Sequence, residues 1–445
     1  MNNKNKQKNS KVDSRIPSGF LELLPEDQIA FNAMFEAIKK TYECFGFAPI
    51  ETPAIEFTEV LLTKSGGETE KQIYRLDKSG DDLSLHFDLT VPLARYVVEH
   101  YEELTFPFRR YQMQKVWRGE RKQRGRFREF YQCDIDVIGT DNILVDAEIP
   151  SVIYEVFKNL GFDNFTIRVN NRKVLNGFME YLGISSMSRE VLRAIDKLEK
   201  QGEEKVAEEI KVFGIPDDKI KKILDFVQIK GSDEEIISQL RSLGVDSVLF
   251  ETGVDELSKV SEAIAMFGIP KRCYSIDLAI ARGLDYYTGT VYETILNDYP
   301  EVGSICSGGR FDNLAEYYTD KKLPGVGISI GLTRLFYKLK EAGLIKSGRA
   351  TLSEVLIIQM DEKFISESLA VATQLRKSGI NAEIYFDSEK IGKQFKYASR
   401  LKIPFVIIIG ETEVKENKVS LKTMSTGEQK MMFLEEVISL FKRIG

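Results

Sequence analysis

Apolar residues recur at helical spacing from the N-terminal side of the chain. Phe31, Met34, Phe35, Ile38, Tyr42 and Phe45 fall on one face after Leu24-Pro25-Glu26-Asp27, and the pattern stops at Gly46. Pro in the first turn and two acids at the positive dipole end predict a helix there. The segment before it is different: after the initiator, residues 1–14 hold one apolar side chain, Val12, too little to offset the entropy of ordering, so a disordered tail is expected. Strand patterns follow at Ile73–Leu76, Leu83–Phe87, Phe130–Ile138 and Thr166–Val169. Over 176–265 strand patterns vanish and helical spacing dominates, as in Val191, Leu192, Ile195 and Leu198, and again in Ile236, Ile237, Leu240 and Leu243. This predicts a helical insertion in a split domain made of 15–175 and 266–340. Phe-Gly-Ile-Pro occurs at 213–216 and 267–270, in each case as a helix stop with Gly as cap and Pro beyond. Residues 341–353 read as a linker. Strand and helix patterns then alternate over 354–445, which predicts a small α/β domain with a largely buried sheet.

Length and composition agree with several domains. A chain of 445 residues predicts two to four, and 43% hydrophobic with 29% charged residues is a soluble, globular balance. Cys44, Cys133, Cys273 and Cys306 form no C-x-x-C pair, and the chain has two histidines, His86 and His100, both read as structural or surface groups. Zinc-site and disulfide-framework classes are thereby excluded. No apolar run approaches the roughly 18–20 residues of a membrane span, and no apolar signal core opens the chain, so a cytoplasmic protein with no membrane partner is expected. The net charge of −6 by itself points away from nucleic acid.

The distribution of charge changes that picture. Between Arg109 and Arg128 there are nine Lys or Arg against one acid, Glu120. Such a run is most often a solvated basic loop. This one contains Trp117 and Phe127 and passes directly into Phe130–Ile138, where Gln132, Asp134 and Asp136 share one strand face while Cys133, Ile135 and Val137 share the other. Three polar side chains on one face of an apolar strand suggest a cavity floor. Guanidinium forks beside carboxylates suit a substrate carrying both phosphate and a cation. A second segment, 281–293, places Arg282 and the pair Tyr286-Tyr287 ahead of a β-branched strand, and 303–313 adds a Gly-rich turn. Neither a P-loop nor a Rossmann glycine pattern is present.

Taken together, these motifs resemble a known family. The helix leading to Glu51-Thr52-Pro53, the loop and strand from Arg118 to Asp136, and Gly327–Leu335 are similar to motifs 1, 2 and 3 of class II aminoacyl-tRNA synthetases. Arg282–Gly289 and Ser307–Arg310 are similar to two signatures of the histidyl-tRNA synthetase family. The resemblance spans roughly 16–445. It implies an α+β fold: a class II antiparallel-sheet catalytic domain with a helical insertion, and a C-terminal α/β anticodon-binding domain at 354–445. It also implies L-histidine, ATP with Mg2+, and tRNA(His) as reactants, in a homodimer.

Residue by residue, the resemblance assigns Arg118 to the ATP α-phosphate and Arg334 to the nucleotide's phosphate tail. Arg282 is assigned between the histidine carboxylate and the α-phosphate. Asp88, Thr90 and Gln132 are assigned to the α-ammonium, and Asp136 and Tyr287 to the imidazole. Arg121 and Gln123 are candidates for the tRNA acceptor end; Lys393, Lys396, Arg400 and Lys402 are candidate RNA phosphate contacts, although 14 cations against 13 acids over 351–445 leave that segment nearly neutral. Asp88 alone reads equally well as a helix cap. Strand alternation lets one of Tyr286 and Tyr287 face the pocket, and Tyr287 is chosen. Two positions depart from the family pattern: Phe311 replaces a common Tyr, and Thr333 replaces an acid before the motif 3 arginine. The same resemblance admits a histidine-binding regulatory subunit of ATP phosphoribosyltransferase, or a module that senses uncharged tRNA.

Overall fold

The structure, a computed structural model, describes residues 13–63, 70–77, 80–120, 125–280, 286–345, 348–387 and 389–444. Two compact units are distinguished. One holds the described residues up to Leu21 with Met34–Leu344, and the other holds Glu22–Ala33 with the described residues from Ile345 onward.

In the first unit, the strands are β1 (Ala48–Pro49), β2 (Ile55–Phe57), β3 (Arg75–Leu76), β4 (Leu83–Leu85), β5 (Phe108–Trp117), β6 (Glu129–Ile138), β7 (Phe165–Asn171), β8 (Tyr274–Ile276), β9 (Thr290–Leu296), β10 (Cys306–Phe311) and β11 (Gly325–Gly331). Among the described residues, eight of them form one sheet in the order β1-β5-β6-β11-β10-β9-β7-β8. The six inner strands pair antiparallel, and β1 and β8 add parallel edges. β2, β4 and β3 make a small antiparallel sheet.

Period-2 patterning gives the large sheet two unlike faces. On β6 the odd positions Cys133, Ile135 and Val137 are buried apolar. That face is covered in part by the helix Pro25–Cys44, whose Tyr42 hydroxyl donates to the Cys133 carbonyl at 3.0 Å and whose Phe35 meets Tyr131 edge-on. The helix Ile143–Asn159 contributes Asp146, whose carbonyl accepts from Tyr292 on β9 at 2.6 Å. Between β7 and β8 the described residues are helical, from Arg172–Tyr181 through Val248–Met266. Gly177 and Gly253 let the first and last of these helices pack closely: a Cβ at Gly177 would stand 2.4 Å from the Phe250 nitrogen.

The second unit carries β12 (Val355–Gln359), β13 (Ala382–Ile384), β14 (Phe405–Ile409), β15 (Val419–Thr423) and β16 (Gln429–Met432), in the order β13-β12-β14-β15-β16. β13, β12 and β14 run parallel, and β12 is buried throughout. The alternation of strand and helix patterns locates β12, β13, β14 and β15 and the helices Ile365–Lys377, Ile391–Leu401 and Leu434–Ile444. It does not locate the short helix Glu411–Glu416 or β16, which is largely exposed and therefore lacks an apolar signature.

Candidate active site

The polar face of the large sheet floors a cavity of about 1030 Å³. Register builds it. Gln132, Asp134 and Asp136 on β6 stand opposite Gln114, Gln112 and Arg110 on β5, and opposite Gly331, Ser329 and Gly327 on β11. Directly paired positions share a face, so one polar surface spans three strands. Asp136 forms a buried ion pair with Arg110 at 2.5 Å, and Arg110 Nη1 also reaches Gln112 Oε1 at 3.4 Å. Gln112 in turn donates to Thr52 Oγ1 and Gln114 Oε1, and Gln132 Nε2 donates to Ser329 Oγ at 2.6 Å.

Asp88 meets the same space from the N-terminus of the helix Thr90–Glu99. Its Oδ1 accepts from the Val91 nitrogen at 3.1 Å, so the cap role is real. Its Oδ2 is buried and has no hydrogen-bond partner, as are Asp134 Oδ1 and Gln132 Oε1. Burial raises the pKa of Asp88, pushes Asp134 up to about 6 and pushes Asp136 up to about 7. Arg110 opposes the shift on all three, while Asp88 adds to the rise at Asp134, and Asp134 and Asp88 add to it at Asp136.

Arg118 and Arg334 stand on the same cavity. Arg118 Nε donates to the Phe87 carbonyl at 2.9 Å and its guanidinium lies 5.2 Å from the centre of the Phe130 ring, which fixes the fork. Arg334, in the first turn of the helix Leu332–Glu341, donates from Nη2 to the Val302 carbonyl at 3.2 Å. The structure thus brings together Asp88, Thr90, Arg118, Gln132, Asp136, Tyr287 and Arg334 around one cavity. Arg282, Arg121 and Gln123 lie outside the described residues. Among the described residues no group of three or more His, Cys, Asp or Glu side chains is spaced to hold a metal ion.

One expectation fails, that only one of Tyr286 and Tyr287 faces the cavity. Tyr286 and Tyr287 both border the cavity, with ring centres 5.0 Å apart. They precede β9 in non-strand backbone, so strand alternation does not govern them, and a hydrogen bond ties Tyr286 to Thr90. Arg310, inside the Gly-rich signature, faces away from the cavity: its Nε donates to both Asp146 oxygens at 3.0 Å and its Nη1 to the Thr140 carbonyl. The neighbouring Phe311 borders the cavity and meets Tyr286 edge-on at 6.0 Å, so apolar packing occupies the place where the family pattern has a phenol. Thr333 does structural work, its Oγ1 accepting from the Tyr131 nitrogen at 2.9 Å at the start of β6.

Part of the cavity wall was not singled out in the sequence: Asn176, Arg189 and Arg193 border it from the helical region. Their helical spacing is visible in the sequence, but nothing local says that their helices turn a charged side toward a strand floor. Cys133 and Cys306 are buried and their thiol pKa values are raised by desolvation, which argues against nucleophiles.

Comparison with known proteins agrees with this geometry. The histidyl-tRNA synthetase family pattern matches residues 19–335, and an anticodon binding domain pattern matches 354–444. The chain is 58% identical to the histidine–tRNA ligase of Clostridium tetani, over 97% of this chain and 98% of that protein. It is 50% identical to that of Stenotrophomonas maltophilia, over 94% and 95%. The crystal structure of histidyl-tRNA synthetase from Nostoc superposes with a TM-score of 0.89 at 42% identity, covering 98% of this chain and all of that one. The large antiparallel sheet is accordingly that of a class II synthetase catalytic domain, joined in sequence to an anticodon-binding α/β domain, and the chain belongs to the histidyl-tRNA synthetase family.

Proposed function

We propose that this chain is a histidine–tRNA ligase, which activates L-histidine with ATP to histidyl-adenylate and transfers it to the 3′ end of tRNA(His). The observation that carries this reading is the meeting, in one cavity, of the carboxylate-bearing face of β6 with the fixed guanidiniums Arg118 and Arg334. The histidine carboxylate attacks the α-phosphorus, the bond to the bridging oxygen breaks, and pyrophosphate leaves. Charge spread over the transferring phosphorus in the transition state is stabilised by guanidiniums held beforehand, and losing one commonly costs several kcal/mol. Asp88, Thr90 and Gln132 hold the α-ammonium, while Asp136 and Tyr287 meet the imidazole nitrogens. An analogue lacking those nitrogens leaves both groups unpaired, which supplies discrimination without editing. A ribose hydroxyl of the terminal tRNA nucleotide then attacks the adenylate carbonyl and AMP departs.

Mg2+ would travel on the ATP phosphates and add positive charge there. Arg282 would bridge the substrate carboxylate and the α-phosphate, and Arg121 and Gln123 would meet the acceptor end. The protein would act in the cytoplasm as a homodimer. A histidine-binding regulator that charges no tRNA is less well supported, given the 58% identity to a histidine–tRNA ligase over nearly the full length of both chains. The test is histidine-dependent ATP–pyrophosphate exchange by the purified protein. Exchange that requires histidine is expected; its absence beside an active control enzyme would overturn the catalytic reading.

A further inference from the structure

Asp134 lies in the middle of β6, between Gln132 and Asp136, opposite Gln112 on β5 and Ser329 on β11. It is 2% exposed and borders the cavity. Its Oδ1 has no hydrogen-bond partner, and Asp88 Oδ2 and Gln132 Oε1 are in the same condition. Three buried oxygens at one cavity are thus left without donors. The nearby Asp136 differs, because the Arg110 guanidinium lies against it. Burial raises the affinity of Asp134 for a proton, and the charge of Asp88 adds to that rise.

Asp134 keeps a hydrogen bond with the Ser329 side chain and Asp88 one with the Val91 nitrogen, but a buried carboxylate oxygen without a donor works against folding, and an amide or apolar side chain there would serve the sheet better. Such a group is therefore matched to something that enters the cavity. The missing partner must supply several N–H donors and positive charge, and an ammonium supplies three donors and one charge. We propose that Asp134, together with Asp88, is the counter-charge of the substrate's α-ammonium, which makes Asp134 a specificity-determining residue that rejects ligands lacking that cation. This rests on the histidine–tRNA ligase reading and assigns a further residue to its pocket. Gln132 then supplies an acceptor at the edge of the ammonium, while Asp136, occupied by Arg110, is left to the imidazole.

The test is calorimetric binding to the full-length protein and to Asp134→Asn, using two ligands. Histidinol keeps the ammonium and imidazole; 3-(imidazol-4-yl)propionate keeps the imidazole and carboxylate but lacks the ammonium. Losing a charge-assisted contact predicts that Asp134→Asn binds histidinol about 30-fold more weakly. Binding of the propionate should change by less than about threefold, since no charge-assisted contact is lost, and the melting temperature should be equal or higher. Should the Asn variant fail to fold, Asp134→Ser serves the same comparison. Unchanged histidinol binding would overturn the proposal, as would equal loss of both ligands, which would make Asp134 a support of the floor only. A parent protein that binds neither histidine nor histidinol would instead overturn the ligase reading on which the assignment rests.

Discussion

Gly327 stands directly opposite Asp136 in the pairing of β11 with β6, and a Cβ on Gly327 would lie 2.2 Å from Asp136 Oδ1 and 2.2 Å from the Ile135 carbonyl. The carboxylate occupies the space a side chain would take, so the glycine is part of how Asp136 is aimed. Gly327→Ala should push the two strands apart, costing about 1–3 kcal/mol of stability. Histidine-dependent pyrophosphate exchange should fall by roughly 100-fold, because displacement of a positioning group by about an ångström is enough to lose that much rate. Thermal melting and exchange assays check both effects; a variant with parental exchange would mean that the Asp136 position does not matter.

Asp134 and Asp136, raised to about 6 and about 7 by burial, make the stability of the ligand-free protein depend on pH. Their folded values lie above the ordinary unfolded value of about 4, so the stabilising contribution is complete below about pH 4 and disappears as pH rises through 6 to 7. The melting temperature of the ligand-free protein should therefore fall between about pH 4 and 6 more steeply than that of Asp134→Asn, and the two curves should run parallel above about pH 7. Affinity for a cationic ligand should move the opposite way and rise over the same range. Differential scanning fluorimetry across pH reads the first effect, and curves for parent and variant that run parallel between about pH 4 and 6 as well would reject it.

Arg310 belongs to the glycine-rich signature yet works on the far side of the sheet. It is 4% exposed and paired with the fully buried Asp146 of the helix Ile143–Asn159. Arg310→Met should cost about 3–5 kcal/mol, since it strands a buried carboxylate. Adding Asp146→Leu should recover most of that loss. Denaturant unfolding of both variants decides the matter. A double variant no more stable than the single one would mean that Arg310 contributes through something other than its partner.

The contrast between Arg310 and Asp136 shows what could be read from the residues alone. Alternation along 130–138 places Gln132, Asp134 and Asp136 on one face and marks it as a floor, because strand period is a local property. Which residues complete that floor is not local. Gly327 and Ser329 arrive from nearly 200 positions away, and their identity depends on register, which no short segment encodes. Arg189 and Arg193 sit in a helix whose apolar spacing is evident while its orientation is not. A related reason separates Tyr286 from Tyr287: strand alternation admits Tyr287 to the pocket and excludes Tyr286, but the backbone there has not yet entered β9 and both border the cavity.

In the second unit, Lys393, Lys396 and Arg400 are exposed along one face of the helix Ile391–Leu401, at spacings of three and four. Lys393 is paired with Glu389 at 2.7 Å. Lys402 is different: it follows the helix with φ of 57° and its Nζ donates to the Gly348 carbonyl at 3.0 Å. If this helix meets RNA phosphates, Lys396→Ala with Arg400→Ala should raise the KM for tRNA and lower the salt slope of tRNA binding by about 1.5, one fractional charge per lost contact. Pyrophosphate exchange, which needs no tRNA, should stay at the parental rate. Lys402→Gly should instead gain about 1 kcal/mol by relieving left-handed strain, with little change in tRNA binding. Filter binding at several salt concentrations, set beside exchange assays, separates these outcomes. Equal loss of exchange and charging in the double variant would remove this helix from the RNA-binding surface.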